Sequence, residues 1–229
     1  MPVRSALRSV SSINRVRGNH PCASSDDLLS ETLGILGVVM PFERNVEIFG
    51  DSEPAEYVYR VITGAVRTYK VLQDGRRQVS AFHLPGDIFG LEADDRHRFS
   101  AEAIAASNVL VVKRNTLLVM AQRDGSFARK LWSATAKELA HVQELMMTLG
   151  RKTAQERVAG FLLEMSKRSP KHDLIELPMS RQDIADYLGL TIETISRTIT
   201  QLQEQEAIAL RDSRHIELRN HAVLARMSG

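Results

Sequence analysis

Three side chains within five residues, Glu193, Ser196 and Arg197, bring together a carboxylate, a hydroxyl and a guanidinium. The guanidinium is a rigid fork of donors, the carboxylate only accepts, and the hydroxyl does both. On a helix, spacings of three and four place all three on one face. Turned outward near a helix start, that face can read base edges in a major groove, arginine at guanine and glutamate at cytosine. The bland alternative is a solvated, salt-bridged face in a small three-helix cap. What surrounds the helix has to decide between the two.

The stretch 180–205 has the spacing of two crossing helices. With Gln182 as the second residue of such a pair, Ala185, Gly189 and Ile195 fall where it needs a small contact, a left-handed turn and an apolar lock. Ser180 is placed to cap the first helix with Asp183 as its N3 acid, and Thr191 to cap the second. Downstream, Ala207–Arg211 and His215–Leu218 flank Asp212-Ser213-Arg214 and predict a hairpin, a wing beside the helix pair. Candidate phosphate contacts are Ser180, Arg181, Thr191 and Thr194 at the helix starts and Arg211 and Arg214 at the wing, with Arg151 or Lys152 further upstream.

Upstream, a proline-free helix is expected from Arg114 or Ser126 through Leu149, with a break at Gly125. Leu131, Thr135, Glu138, Val142, Leu145 and Leu149 alternate at spacings of four and three, the period of a coiled-coil seam. They are the expected dimer interface, with Glu138 a polar defect in it. A neighbouring stripe, Trp132, Ala136, Leu139, Gln143 and Met146, is expected to pack on the same chain; the alternative is one broad stripe buried wholly within a monomer. Gly150-Arg151-Lys152 reads as a hinge. Thr153 with Glu156 then caps a helix whose inner face is Val158, Phe161, Leu162 and Met165, ending before Ser169-Pro170, and Leu174–Met179 is an extended lead-in.

Between Val46 and Lys113 the pattern changes to short strands with Gly and Pro turns at Thr63-Gly64, Asp74-Gly75 and Leu84–Asp87. That predicts a small barrel or jelly roll. The expected class is α+β: an N-terminal double-stranded β-roll, a long dimerisation helix and a C-terminal winged helix-turn-helix. The expected division is a flexible basic tail at 1–26, the roll at 27–125 with a helix near Asp27–Leu36, the long helix and hinge at 126–150, and the winged domain at 151–229.

Several function classes are excluded. Cys22 is the only cysteine, so neither a disulfide framework nor a thiolate zinc site can form. No run is apolar enough for a membrane span or a signal peptide, which predicts a cytoplasmic protein. His83 and His97 lack a recognisable ligand set, and no Ser/His/Asp spacing, phosphate loop or dinucleotide fingerprint occurs; the chain does not read as an enzyme. The net charge is only +2, and residues 171–229 hold seven Lys and Arg against nine Asp and Glu. DNA binding would therefore rest on local placement and pairing of subunits, not on a generally basic domain. A non-DNA interaction module would instead bury Glu193 and Arg197 against another helix.

The order of roll, long helix and winged domain, with RQDIADYLGLTIETISR at 181–197, resembles the Crp/Fnr superfamily of bacterial transcription regulators and, within it, the FixK type. The resemblance covers about Asp27 to Ala225. It implies that Glu193, Ser196 and Arg197 read a TTGA-like half-site in a pseudo-palindrome of double-stranded DNA bound by a homodimer. It also implies activation through RNA polymerase, with surfaces such as Glu43–Asp51 and Glu92–Arg98, of genes for microaerobic respiration or nitrogen fixation. The departures matter too. One cysteine cannot hold the iron–sulfur cluster of Fnr. In the stretch GDIFGLEADDRHRFSAEA, Leu91 follows Gly90 where nucleotide-binding members place a glutamate, and Arg98 is displaced from their arginine-serine pair. No cofactor is expected, haem included. The alternative is a ligand-gated relative whose roll binds another small molecule.

Overall fold

The computed structural model describes residues 32–229. The basic tail and most of the helix expected over 27–36 lie outside them; 32–36 are helical. The chain divides into two compact units, one reaching Val71 and resuming over Ser80–Ala140, the other comprising Leu72–Val79 and His141–Gly229.

The first unit is built on strands β1 (Val38–Phe42), β2 (Glu47–Phe49), β3 (Tyr57–Thr63), β4 (Val66–Val71), β5 (Arg77–His83, whose first three residues are counted with the second unit), β6 (Ile88–Phe89), β7 (Ser100–Ala103) and β8 (Ser107–Lys113). They form two four-stranded sheets, ordered β1-β8-β3-β6 and β2-β7-β4-β5. Every strand pair of known register is antiparallel. This is the expected β-roll. The alternation along β3 and β8 is two-sided: Tyr59, Val61, Val109 and Val111 enter one core, while Val58, Leu110 and Val112 join Leu117 and Phe127 in a second. Leu117 lies on α1 (Arg114–Arg123) and Phe127 at the start of α2 (Gly125–Arg151).

The strand pattern begins earlier than Val46. β1 carries Pro41, which cannot donate to a ladder, yet β1 is an edge strand and pairs only with β8. Gly64 makes the β3–β4 turn at φ +85°, and a Cβ there would collide with Ser107 Oγ. The helix break expected at Gly125 falls on Asp124, whose Oδ1 accepts from the amides of Ser126 and Phe127.

The second unit holds α3 (Ala154–Arg168), α4 (Arg181–Leu188), α5 (Ile192–Glu204) and α6 (His221–Met227). Its three-stranded antiparallel sheet is ordered β10 (Ile208–Leu210), β11 (His215–Leu218), β9 (Leu174–Glu176). Thr153 and Glu156 form the capping box of α3, and Val158, Phe161, Leu162 and Met165 are buried. The hinge is displaced: Gly150 and Arg151 are helical, and only Lys152 and Thr153 separate α2 from α3. The capping box explains this, because Thr153 must leave helical geometry to bond the Glu156 amide.

The neighbouring stripe on α2 does not pack as expected. Trp132, Ala136, Leu139, Gln143 and Met146 are all exposed, whereas Leu131, Leu145 and Leu149 are half-buried. No helix among the described residues is long and apolar enough to cross a membrane.

Candidate nucleic-acid interface

The presentation of α5 follows from local chemistry. Thr191 is extended and its hydroxyl accepts from the Thr194 amide, which satisfies one of the orphan donors of the helix start. Ile195, Thr198, Ile199 and Leu202 are buried, at the i, i+3, i+4, i+7 recurrence of a helix lying on a core. The opposite face leaves Glu193, Ser196 and Arg197 exposed. Burying Ile195 completely is worth about 1.5–3 kcal/mol, which pins the helix and so the direction of its outer face.

The preceding helix is held from both ends. Ser180 and Asp183 form a full capping box, and Gly189 closes α4 in the left-handed conformation at φ +62°. Ala185 is fully buried, so the three spacing residues do what a crossing pair requires. Arg77, also in this unit, was not foreseen. Its Nη2 donates to Asp183 Oδ1 and its Nε to Asp186 Oδ2, both at 2.7 Å. No local signal could have shown this, since the partners lie 106 and 109 residues away in sequence.

The exposed triad has distinct states. Bonding to its own backbone amide first, then to the Thr191 hydroxyl, with Arg197 adding attraction, holds the Glu193 carboxyl below the usual carboxylate range. The Ser196 hydroxyl donates to Ile192 O at 2.8 Å and therefore faces outward mainly as an acceptor. Thr194 is half-buried with its hydroxyl 3.0 Å from that of Thr191. Arg181 is half-buried, and burial pushes its pKa down from the ordinary arginine value. At the wing, Arg211 pairs with Glu217 at 2.8 Å and Arg214 is exposed. Asp212 accepts from the amides of Arg214 and His215, and these bonds together with the His215 ring bring its carboxyl to about 2. Of the residues expected to form a seam, Thr135, Glu138 and Val142 are exposed and Leu131, Leu145 and Leu149 half-buried.

A β-roll, a long helix and a winged helix-turn-helix whose second helix turns a polar face outward define a DNA-binding transcription regulator. Residues 156–227 match the Crp-like helix-turn-helix domain and residues 39–124 the cyclic nucleotide-binding domain. The nitrogen fixation regulation protein FixK of Azorhizobium caulinodans is 49% identical over 203 residues, covering 86% of this chain and 82% of that protein. FixK of Rhizobium meliloti is 44% identical, covering 79% and 82%. The structure of FixK2 from Bradyrhizobium japonicum superposes with a TM-score of 0.82 at 52% identity, covering 84% of this chain and 98% of that one. The chain belongs to the FixK-type branch of the Crp/Fnr regulators, a family without catalytic chemistry, and its single cysteine excludes an Fnr-type cluster.

In the roll, Glu92, Arg98 and Ser100 are each bonded within their own unit. The Arg98 guanidinium pairs with Asp94 at 2.5 Å. Glu92 Oε1 lies 3.4 Å from both His97 Nδ1 and the Arg98 amide, and the His97 bond above all holds its carboxyl low. Ser100 Oγ accepts from the Asp51 amide. Between the sheets, Phe49 stacks on buried His97 at 3.6 Å and Tyr59 on Phe89 at 5.2 Å. His83 is buried as well, against Thr68 at 3.1 Å.

Proposed function

We propose that this regulator binds, as a homodimer, an inverted repeat of TTGA-like half-sites and activates transcription there by contacting RNA polymerase, without an obligatory effector. The observation that carries the reading is the outward face of α5, on which Glu193, Ser196 and Arg197 share one exposed surface. Arg197 donates to guanine O6 and N7, Glu193 accepts from cytosine, and Ser196 makes a shorter contact as acceptor. Ser180, Arg181, Thr191, Thr194, Arg211 and Arg214 are the candidate phosphate contacts. They set register and carry no sequence information.

Pairing through α2 is supported by its uncovered apolar residues. Trp132 is 76% exposed, Leu139 58%, Val142 48% and Met146 63%. Trp132, Thr135, Leu139, Val142, Met146 and Leu149 alternate at spacings of three and four, and a second copy of the same helix is the partner that fits such a repeat. This seam keeps Thr135, Val142 and Leu149 of the one read from the sequence and replaces Leu131, Glu138 and Leu145, which removes the charge from its centre. Two-fold pairing puts half-site centres about 34 Å apart.

The relatives named as nitrogen fixation regulation proteins support a target set in nitrogen fixation; microaerobic respiration rests on the family resemblance alone. Absence of an obligatory effector is supported by the internally bonded Glu92, Arg98 and Ser100. The match to a cyclic nucleotide-binding domain favours the second reading, a roll gated by a small molecule. Footprinting and transcription with the purified protein on promoters carrying the repeat separate the two. Protection of both half-sites and transcript without added effector is expected; protection only on adding a cell-extract metabolite fraction supports gating, and no protection in either case rejects the reading.

A further inference from the structure

Three helix ends meet at one side chain. Arg157, in the second turn of α3, donates from Nε to Lys152 O at 2.9 Å, from Nη2 to Leu149 O at 2.9 Å and from Nη1 to Leu188 O at 2.8 Å. Leu149 is in the last turn of α2, Lys152 follows its end, and Leu188 is the last residue of α4. These carbonyls belong to the set that a helix leaves without intrahelical partners. A cation there also faces the negative ends of two helix dipoles. The planar fork meets three acceptors with all three nitrogens, which a lysine ammonium on its flexible stem cannot reproduce.

The turn after α4 lies in ordinary van der Waals contact with this arginine. A Cβ on Gly189, in the turn between α4 and α5, would lie 3.4 Å from Leu149 Cδ2 and 3.5 Å from Arg157 Nη1. A second strut crosses between α2 and α4 about two turns further back along α2, where Tyr187 Oη lies 3.2 Å from His141 Nε2. The chain itself offers little stiffness here, because only Lys152 and Thr153 connect α2 to α3. The angle between α2 and the α4–α5 pair is therefore held by side chains, with Arg157 making the most bonds.

We propose that Arg157 is a positioning residue for specificity: it sets the distance between half-sites that the paired protein accepts. The inference rests on the homodimeric reading above. When two copies are joined along α2, the angle at each α2 end fixes how far apart, and at what rotation, the two α5 faces stand. A duplex one base pair longer or shorter moves the second half-site by about 3.4 Å and about 34–36°, which a rigid junction cannot follow. A junction released from its clamp can.

The test uses the full chain and a set of synthetic duplexes: an inverted repeat with its spacer varied one base pair at a time, the best spacer with one half-site base changed, and a single half-site. Wild type is expected to lose about tenfold or more in affinity one base pair from the best spacer. Arg157→Gln and the milder Arg157→Lys are expected to flatten that profile, losing affinity at the best spacer while the penalty for a wrong spacer falls to a few-fold. Their discrimination against the changed half-site base stays at the wild-type ratio. A variant that folds, by circular dichroism and hydrodynamic size, and keeps the wild-type spacer ratio while binding all duplexes more weakly overturns the proposal. If Arg157→Gln does not fold, Arg157→Lys decides by the same ratio. A wild type that binds the single half-site as well as the full repeat overturns the homodimeric reading, and this proposal with it. A sharp wild-type profile left unchanged in the variants overturns this one alone.

Discussion

Two places in the chain carry the same three residue types and put them to opposite use. In the roll, Glu92, Arg98 and Ser100 sit on a loop and its following strand; on α5, Glu193, Arg197 and Ser196 sit on a helix. The loop leaves backbone groups without regular partners, so side chains serve them: Glu92 meets the Arg98 amide and Ser100 meets the Asp51 amide. Arg98 closes on Asp94 in the same segment. Past its capped first turn the helix satisfies its own backbone, and burial of Ile195, Ile199 and Leu202 on the inner face keeps the outer side chains directed away from it. In the roll these groups serve neighbouring backbone and side chains, whereas on α5 their local bonds leave all three facing outward. Residue type alone is thus a poor guide to a site; the state of the local backbone decides.

The contrast can be broken at its strongest point first. Ile195→Ala removes the fully buried side chain under the α5 face and is expected to destabilise the second unit by about 2–5 kcal/mol in denaturant unfolding. A loss below about 1 kcal/mol would mean that α5 is held in some other way. Arg197→Ala is expected to cost about 1–3 kcal/mol on the matched half-site and little on a half-site with its guanine replaced. Equal losses on both duplexes, in a binding titration at fixed salt, would remove the base-reading role. Thr191→Ala takes away the α5 cap at about 1 kcal/mol of stability, measured as a shift in thermal midpoint.

Smaller effects sharpen the comparison at its edges. Asp212, with its carboxyl at about 2 against an ordinary 3.8, stabilises the wing turn fully above the ordinary value, and this is lost as pH falls through about 2. Amide exchange at Arg214 and His215 should therefore be faster in Asp212→Asn than in wild type at pH 5, with the difference shrinking toward pH 2. Arg98→Ala is expected to leave affinity for the matched repeat unchanged, since its exposed guanidinium serves Asp94 in the roll. An Arg98 effect as large as that of Arg197 would erase the distinction between the two sets.

Much of the reading unit was legible because its signals are local. A serine or threonine three residues before an acid or a helical amide forms a cap within one turn, so the roles of Ser180, Thr191 and Thr153 follow from neighbours alone. Gly189 and the apolar recurrence of α5 are legible for the same reason. The strands of the roll declare themselves by alternation and turns, except β1, where Pro41 masks an edge strand.

What the linear order of residues determined is the kind of most elements, β1 and the terminal helix α6 excepted, their caps, and the identity of the face that α5 turns outward. Tertiary structure alone decided which side chains join distant segments: Arg77 on Asp183 and Asp186, and Arg157 on Leu149, Lys152 and Leu188. It also decided which stripe of α2 stands uncovered, moving the apolar line to Trp132, Leu139 and Met146. The physical reason is range. Caps and periodicity act within a turn or two of chain, whereas a long cation finds its carbonyls and carboxylates only after the helices bearing them have packed.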